Sequence, residues 1–324
     1  MWDFSIGRSI GLVGKTLPFV IFRIIVYFGI AVAYVLVTGT GAGVGWGVGA
    51  FGDTDFQVTS TFWGGAIGFA LTAGVLYFLR EYILYIVKAG HIAVLTELID
   101  GNSIPDGRGQ IEYASTVVKE RFAEASVLFA IDQLVRGVIG AIMGIVQGIA
   151  SILPIPGLQN VMGIVKAFLR IAVGLIDEVI LAYSIRTRST NPWASAQTAL
   201  VLYGQNYKTM LKNAAWLTVF TYGLAFLVFL VMLAPAAAVA YLIPGGWSAG
   251  GFVFALIFAW AVKAAVIEPF AIAAMLQVYF KAIEGQVPDP EWASRIEGAS
   301  NKFRKLGEKA ASWGSNGPTA QPSV

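Results

Sequence analysis

The chain has 324 residues, of which 57% are hydrophobic and 13% charged, and its mean hydropathy is +0.71. A soluble domain carries roughly twice that share of charge, so the composition excludes an ordinary soluble globular protein. Cysteine is absent and His91 is the single histidine, which excludes disulfides, thiolate chemistry and Cys/His metal sites. The net charge of +3 is read as membrane orientation, with no claim of nucleic-acid binding.

Six apolar runs follow one another: Leu17–Thr38, Phe62–Tyr85, Val127–Ile149, Val161–Ala182, Trp216–Ile243 and Phe252–Phe280. Runs of ~20 residues are long enough to cross a ~30 Å hydrocarbon core as helix. They are continuous, which excludes the alternating ~10-residue pattern of a β-barrel. The first run is too long for a signal-peptide core and is expected to remain as a span. The segments Gly39–Ser60, Pro154–Gln159 and Pro244–Gly250 contain no Lys or Arg. Lys88, Arg108, Lys119, Arg121, Arg186, Arg188, Lys208, Lys212 and the basic tail all fall between or after the even-numbered runs. Cytoplasmic loops collect Lys and Arg. The pattern predicts an all-α, polytopic membrane bundle of six spans with both termini cytoplasmic, sited in a bacterial inner membrane.

Gly39–Gly49 places glycine at every second position, including the Gly41/Gly45/Gly49 spacing that permits close helix approach; the segment is expected to form an outer loop. His91 is expected at the inner interface. The stretch 110–126 has Ile111, Ala114, Val117, Val118 and Phe122 at helical spacing and is predicted as a cytoplasmic amphipathic helix. Residues 1–311 are taken as one membrane domain. Ser312–Val324, rich in Ser, Gly, Pro and Asn, are expected to be disordered.

A motif recurs after the even-numbered spans. Ile99-Asp100-Gly101, Pro105, Tyr113-Ala114-Ser115 and Lys119-Glu120-Arg121 answer to Ile283-Glu284-Gly285, Pro288, Trp292-Ala293-Ser294 and Lys302-Phe303-Arg304. Pro192-Trp193-Ala194-Ser195 with Tyr207-Lys208 forms a shorter version. These suggest a helical hairpin repeated three times in parallel orientation, against the alternative that Pro and Trp recur at membrane interfaces.

Charges within the spans carry the functional argument. Arg23 lies near the inner end of span one, where it is expected to snorkel. Asp132, Arg136 and Asp177 fall near the cytoplasmic interface and are expected to form structural ion pairs between spans three and four. Lys166 and Lys263 each lie ~16 Å from an outer turn, close to the midplane, where an unpaired Lys costs at least ~2.5–3.5 kcal/mol. Lys166, Arg170 and Asp177 share one helix face. Glu268 follows Lys263 by five residues, poor spacing for a pair on an α-helix, and Pro269 follows to break the span. Lys263, Glu268, Lys166 and Arg170 are therefore the substrate or ion-pathway candidates, with Trp260 and Trp216 as aromatic faces. No paired carboxylates, nucleophile elbow or metal-ligand cluster is seen, so no catalytic residue, metal or cofactor is assigned and the chain is not read as an enzyme.

Ala182-Tyr183-Ser184-Ile185, then Tyr203-Gly204-Gln205-Asn206-Tyr207, then Lys212-Asn213-Ala214, with Gln277-Val278-Tyr279-Phe280-Lys281-Ala282-Ile283-Glu284-Gly285 and Pro288 after two further spans, resemble the C-terminal part of the choline transporter-like family. Gln205 stands where that family has Lys. The resemblance spans about Gly174–Leu306 and implies transport of a choline- or ethanolamine-like cation. The sequence thus reads as a transporter or permease of a small solute. The alternatives are a non-transporting scaffold or homo-oligomeric assembly using Gly140, Gly144 and Gly148 in span three, and a homo-oligomeric channel lined by Lys166 and Arg170. The partners expected are the bilayer, a small solute and further copies of the chain.

The absence of cysteine gives a clean test of orientation. Single cysteines at Asp55 and Ser248 should react with an impermeant thiol reagent in intact cells, whereas cysteines at Thr187 and Ser315 should not; labelling at Thr187 from outside would sink the topology.

Overall fold

The computed structural model describes residues 2–79, 85–104, 109–122, 125–151, 176–242 and 250–316. Among these there is no strand, and nearly all are helical. In chain order the helices are α1 (Ile6–Lys15), α2 (Leu17–Gly49), α3 (Thr54–Leu79), α4 (Tyr85–Ile99), α5 (Gln110–Phe122), α6 (Ala125–Ser151), α7 (Ile176–Arg186), α8 (Pro192–Gln205), α9 (Tyr207–Leu242) and α10 (Gly250–Val262). A π-helical turn at Lys263–Ile267 joins α10 to α11 (Glu268–Ala282), and α12 (Pro290–Ala299) and α13 (Asn301–Asn316) follow.

Four described stretches are long and apolar enough to cross a bilayer: Leu17–Gly49, Thr54–Tyr77, Tyr207–Leu242 and Gly251–Ala282. They hold the expected spans one and six in full, span two as far as Tyr77 and span five as far as Leu242; 80–84 and 243, at the ends of those two spans, lie outside the described residues. Span three coincides with α6; of span four, 161–175 lie outside the described residues and 176–182 open α7. The chain divides into two compact units, one of Met1–Thr16, Lys88–Thr218 and Ala271–Val324, the other of Leu17–Val87 and Val219–Phe270.

The second unit is built on the α2–α3 hairpin. The glycine-rich segment expected as an outer loop is helix: α2 runs on to Gly49, and only Ala50–Asp53 turns the chain. Asp53 caps the return, its carboxylate accepting from the Phe56 N–H at 2.7 Å. Glycine here serves contact between backbones. A Cβ on Gly41 would meet the Gly64 carbonyl, one on Gly45 the Ser60 carbonyl, and one on Gly68 the Val37 carbonyl, all far inside van der Waals distance. Gly43 and Gly47, on the other face, have open space beside them. The alternation thus hides a four-residue period that packs helix on helix. At ~1.5 Å per residue α2 is ~50 Å long, so it must tilt in a ~30 Å core or extend beyond it. Farther along, Ala42 joins Ala236, Phe254 and Ala255 in a buried cluster, with Val35, Phe229, Met232 and Ile257 packed around it.

The first unit gathers α6, α8, α12 and α13. Helix α1 is capped by Ser5, whose hydroxyl accepts from the Arg8 N–H at 3.2 Å, and its buried face carries Ser9 and Leu12. His91, expected at an interface, is fully buried, its Nε2 2.9 Å from the Thr16 hydroxyl. On α5, Tyr113, Ala114 and Val118 are buried while Ile111 is exposed, so the inward face is rotated by part of a turn from the expected stripe. Helix α13 continues to Asn316, five residues into the tail expected to be disordered. It is tied down by Trp313 Nε1 donating to the Thr190 carbonyl at 2.9 Å and by Asn191 Nδ2 donating to the Ala310 carbonyl at 2.8 Å.

The recurring motif has a local structural counterpart. Helices α4, α7 and α11 are each followed by a residue with positive φ: Gly101 at 85°, Arg188 at 49° and Gly285 at 68°. A left-handed residue stops a helix by turning its last amides back on its carbonyls, as Asn102 N–H does to Glu97 O at 3.0 Å. The next helix after Arg188 opens on Pro192 with Asn191 as cap, and that after Gly285 opens on Pro290 with Asp289 as cap.

Gly64→Ala forces a methyl group into the Gly41 carbonyl. It should destabilise the protein by about 1–3 kcal/mol or more, read as a lower melting temperature in detergent. Gly43→Ala, on the open face, should leave melting unchanged or raise it slightly through helix propensity; equal effects of the two would overturn this packing.

Candidate functional site at the bulged span

The chemistry-bearing feature of the second unit lies where α10 passes into α11. Pro269 has no N–H. In the π turn the Glu268 N–H is spent on the carbonyl of Lys263, five residues back. The Ala264 carbonyl therefore has no main-chain donor in either register: the amide four residues on is taken, and the residue five on is proline. Within a bilayer an unsatisfied carbonyl costs several kcal/mol. Arg23 of α2 supplies the donors, its Nε at 3.1 Å and Nη2 at 2.6 Å from Ala264 O.

The same guanidinium reaches Glu268, with Arg23 Nη2 3.2 Å from Oε2. The other carboxylate oxygen, Oε1, accepts from Lys263 Nζ at 2.8 Å. The pair that α-helical spacing disfavours is made because the π turn takes more residues per turn, bringing positions five apart onto one face. Two rings complete the cluster. Lys263 Nζ lies 5.0 Å from the centroid of Tyr222, and the Arg23 guanidinium lies 5.7 Å from that of Tyr27, both within cation–π range. Tyr27 meets Trp260 edge to face at 5.2 Å. Arg23 is 2% exposed and Lys263 17%, whereas Glu268 is 30% exposed at its side chain. The acid is thus the member most open to its surroundings. Two cations face one carboxylate, leaving one positive charge in excess among the described residues; the other described acids of this unit, Asp53 and Asp55, lie at the turn between α2 and α3.

The sequence candidates fare differently. Lys263, Glu268 and Trp260 come together. Trp216 does not join them: it belongs to the first unit, where its ring meets that of Trp2 at 5.5 Å. Lys166 and Arg170 lie outside the described residues. Arg23, expected to snorkel toward the interface, is instead buried and held by Ala264 and Glu268. The signal for it was present: a proline within a span requires a donor from elsewhere, and Arg23 is the one basic residue of the first run. The expected pairs of the first unit form, with Arg136 Nη2 2.9 Å from Asp132 Oδ2 and 3.7 Å from Asp177 Oδ2. Lys88, absent from the expectation, joins them by contacting Asp177 and Glu178.

The residues that resemble the choline transporter-like pattern make structural ties. Asn213 Nδ2 and Lys212 Nζ both bind Asp3 Oδ2, at 2.7 and 2.6 Å, and Asn213 Oδ1 accepts from the Asp3 N–H at 2.7 Å. The hydrogen bond from Lys212, then that from Asn213, holds the Asp3 carboxyl below its ordinary value. Gln205, in place of the family's Lys, donates to Gln286 Oε1 at 2.7 Å and accepts from the Asp289 N–H at 2.9 Å. A search of protein-family models, of curated proteins and of solved structures returns no match to this chain.

Removing Arg23 should expose the defect it covers. Arg23→Met leaves Ala264 O without a donor and Glu268 with one partner, at a cost of about 3–5 kcal/mol. Pro269→Ala restores an N–H next to that carbonyl, so the double variant Arg23→Met/Pro269→Ala should recover about 1–3 kcal/mol of the loss. Detergent melting of the four proteins gives the comparison; strictly additive losses would mean that the proline and the arginine are unconnected.

Proposed function

We propose that the chain is a membrane transporter or permease for a small anionic solute, with Arg23, Lys263 and Glu268 as its binding site. The observation that carries this reading is the excess positive charge held beside a broken span. Charges inside spans are costly and mark substrate or ion paths, and transporter sites use interrupted helices whose freed backbone groups line the path. The solute's anionic group would compete with Glu268 for Lys263 and Arg23, which suits the greater exposure of the acid.

The charge argues against the choline-like cation that the sequence resemblance implies. A quaternary ammonium needs carboxylates or open aromatic faces. Here Tyr222 and Tyr27 already face Lys263 and Arg23, and the one carboxylate is doubly paired.

A second reading, a non-transporting homo-oligomeric scaffold, has one observation in its favour. Among the described residues, Gly140 and Gly144 of α6 have nothing within 4 Å of where a Cβ would stand, a small-residue face that fits another helix.

Uptake by proteoliposomes containing the full chain separates these readings. With choline, ethanolamine, small carboxylates and phosphate as the panel, saturable uptake of an anion is expected. It should be lost in Lys263→Met while that variant keeps near-native melting, since Glu268 stays paired with Arg23. Saturable choline uptake would restore the cation assignment. A folded protein that moves no solute and runs as an oligomer in native mass spectrometry would favour the scaffold.

A further inference from the structure

The acidic cluster of the first unit holds more negative charge than its ion pairs account for. Asp132 and Arg136 come from α6, Asp177 and Glu178 from α7 and Lys88 from α4. The three acids are all more than nine-tenths buried. Lys88 contacts Glu178 Oε1 and lies 3.7 Å from Asp177 Oδ2; Arg136 holds Asp132 and reaches Asp177 Oδ2 from the other side. Among the described residues three carboxylates thus meet two cations. Helix α13 brings Lys302 over Gly137, one residue beyond Arg136; of the other helices packed on α6, α8 carries no charged residue, while α12 carries Glu291, Arg295 and Glu297 and α5 carries Glu112, Lys119 and Glu120, all exposed.

Two independent features show what is missing. Asp177 Oδ1 and Glu178 Oε2 are buried oxygens without a hydrogen-bond partner. The Asp177 carboxylate also shares Lys88 with Glu178 and Arg136 with Asp132, so the three acids converge on the same two cations. Ionised carboxylates are acceptors only, so three gathered this closely repel unless a proton lies among them. A hard metal cation gathers about six oxygens, and no group of three His, Cys, Asp or Glu arranged for a metal ion occurs among the described residues.

We infer that Asp132, Asp177 and Glu178 form a binding site for a single proton, taken from water and held as O–H on one carboxyl that donates to its neighbour. With it bound, the charges of the cluster balance: two carboxylates against Lys88 and Arg136. The acids act as a unit, so the proton belongs to the cluster and not to one residue. This inference stands without the transport reading; if that reading holds, the proton is the natural coupling ion.

Infrared spectroscopy of the full-length protein in liposomes tests it. At neutral pH the wild type should show the C=O band of a buried, protonated carboxyl, which disappears on alkaline titration. Asp177→Asn should abolish the band while keeping the fold, because the Asn amide supplies the donor that the proton supplied. Glu178→Gln should do the same from the other side. Replacing choline chloride by sodium chloride at constant pH should leave the wild-type band unchanged. Absence of the band at neutral pH, its survival in both variants, or its loss on adding sodium would each overturn the proposal, the last making this a sodium site. The wild-type titration and salt exchange decide even if one variant fails to insert.

Discussion

A carbonyl without a donor is the constraint on which the second unit turns. Proline in a span removes one N–H, and the π turn before it diverts another, so Ala264 presents its oxygen with no main-chain partner. Water would repair this at a protein surface. In hydrocarbon the repair has to come from protein, and it comes from a side chain that brings its own charge into the bundle. That charge requires Glu268, which then also holds Lys263. One backbone defect therefore ties together three ionisable residues inside the unit. The π turn contributes twice, by leaving the oxygen free and by bringing positions 263 and 268 to one side.

Rigidity elsewhere keeps that arrangement in register. Helix α2 carries Arg23, and it is fixed against α3 by glycines so close that carbonyl oxygens occupy the space of the absent side chains. Such contacts tolerate little sliding, because a shift by one residue sets a side chain against backbone. The donor is thus presented from a stiff hairpin and not from a flexible loop, which is what a preorganised site requires.

The first unit manages charge by a different device. Its buried acids are gathered at the N-terminal turn of α7 and on α6, with Lys88 and Arg136 on either side. Buried ion clusters often add nothing to stability over a well-packed apolar core, so their presence asks for a use, and an exchangeable proton is the simplest one that satisfies the unpartnered oxygens. The left-handed residues after α4, α7 and α11 show a further regularity: each ends its helix abruptly. Two do so with glycine; the third uses Arg188, which takes up the strain of a conformation that side chains disfavour.

Much of this was legible in the residues alone, for physical reasons. Apolar runs of span length and the banding of Lys and Arg follow from transfer free energy, which is additive along a chain, so the helical class could be read directly, and four of the six expected spans correspond to the long apolar helices. Lys263, Glu268 and Pro269 stood out because charge and proline in a span are costly wherever they fall. Pairing was not additive and was read less well. The π register that joins Lys263 to Glu268 is a local choice between two hydrogen-bond patterns. The partner of Ala264 lies 241 residues away in sequence, and Lys88 reaches Asp177 and Glu178 from a helix placed outside the spans. Glycine at every second position reads as a loop until a second helix is laid against it. Sequence determined which groups need a partner; only the tertiary structure decided which partner, because that depends on distances between helices that no single stretch of chain encodes.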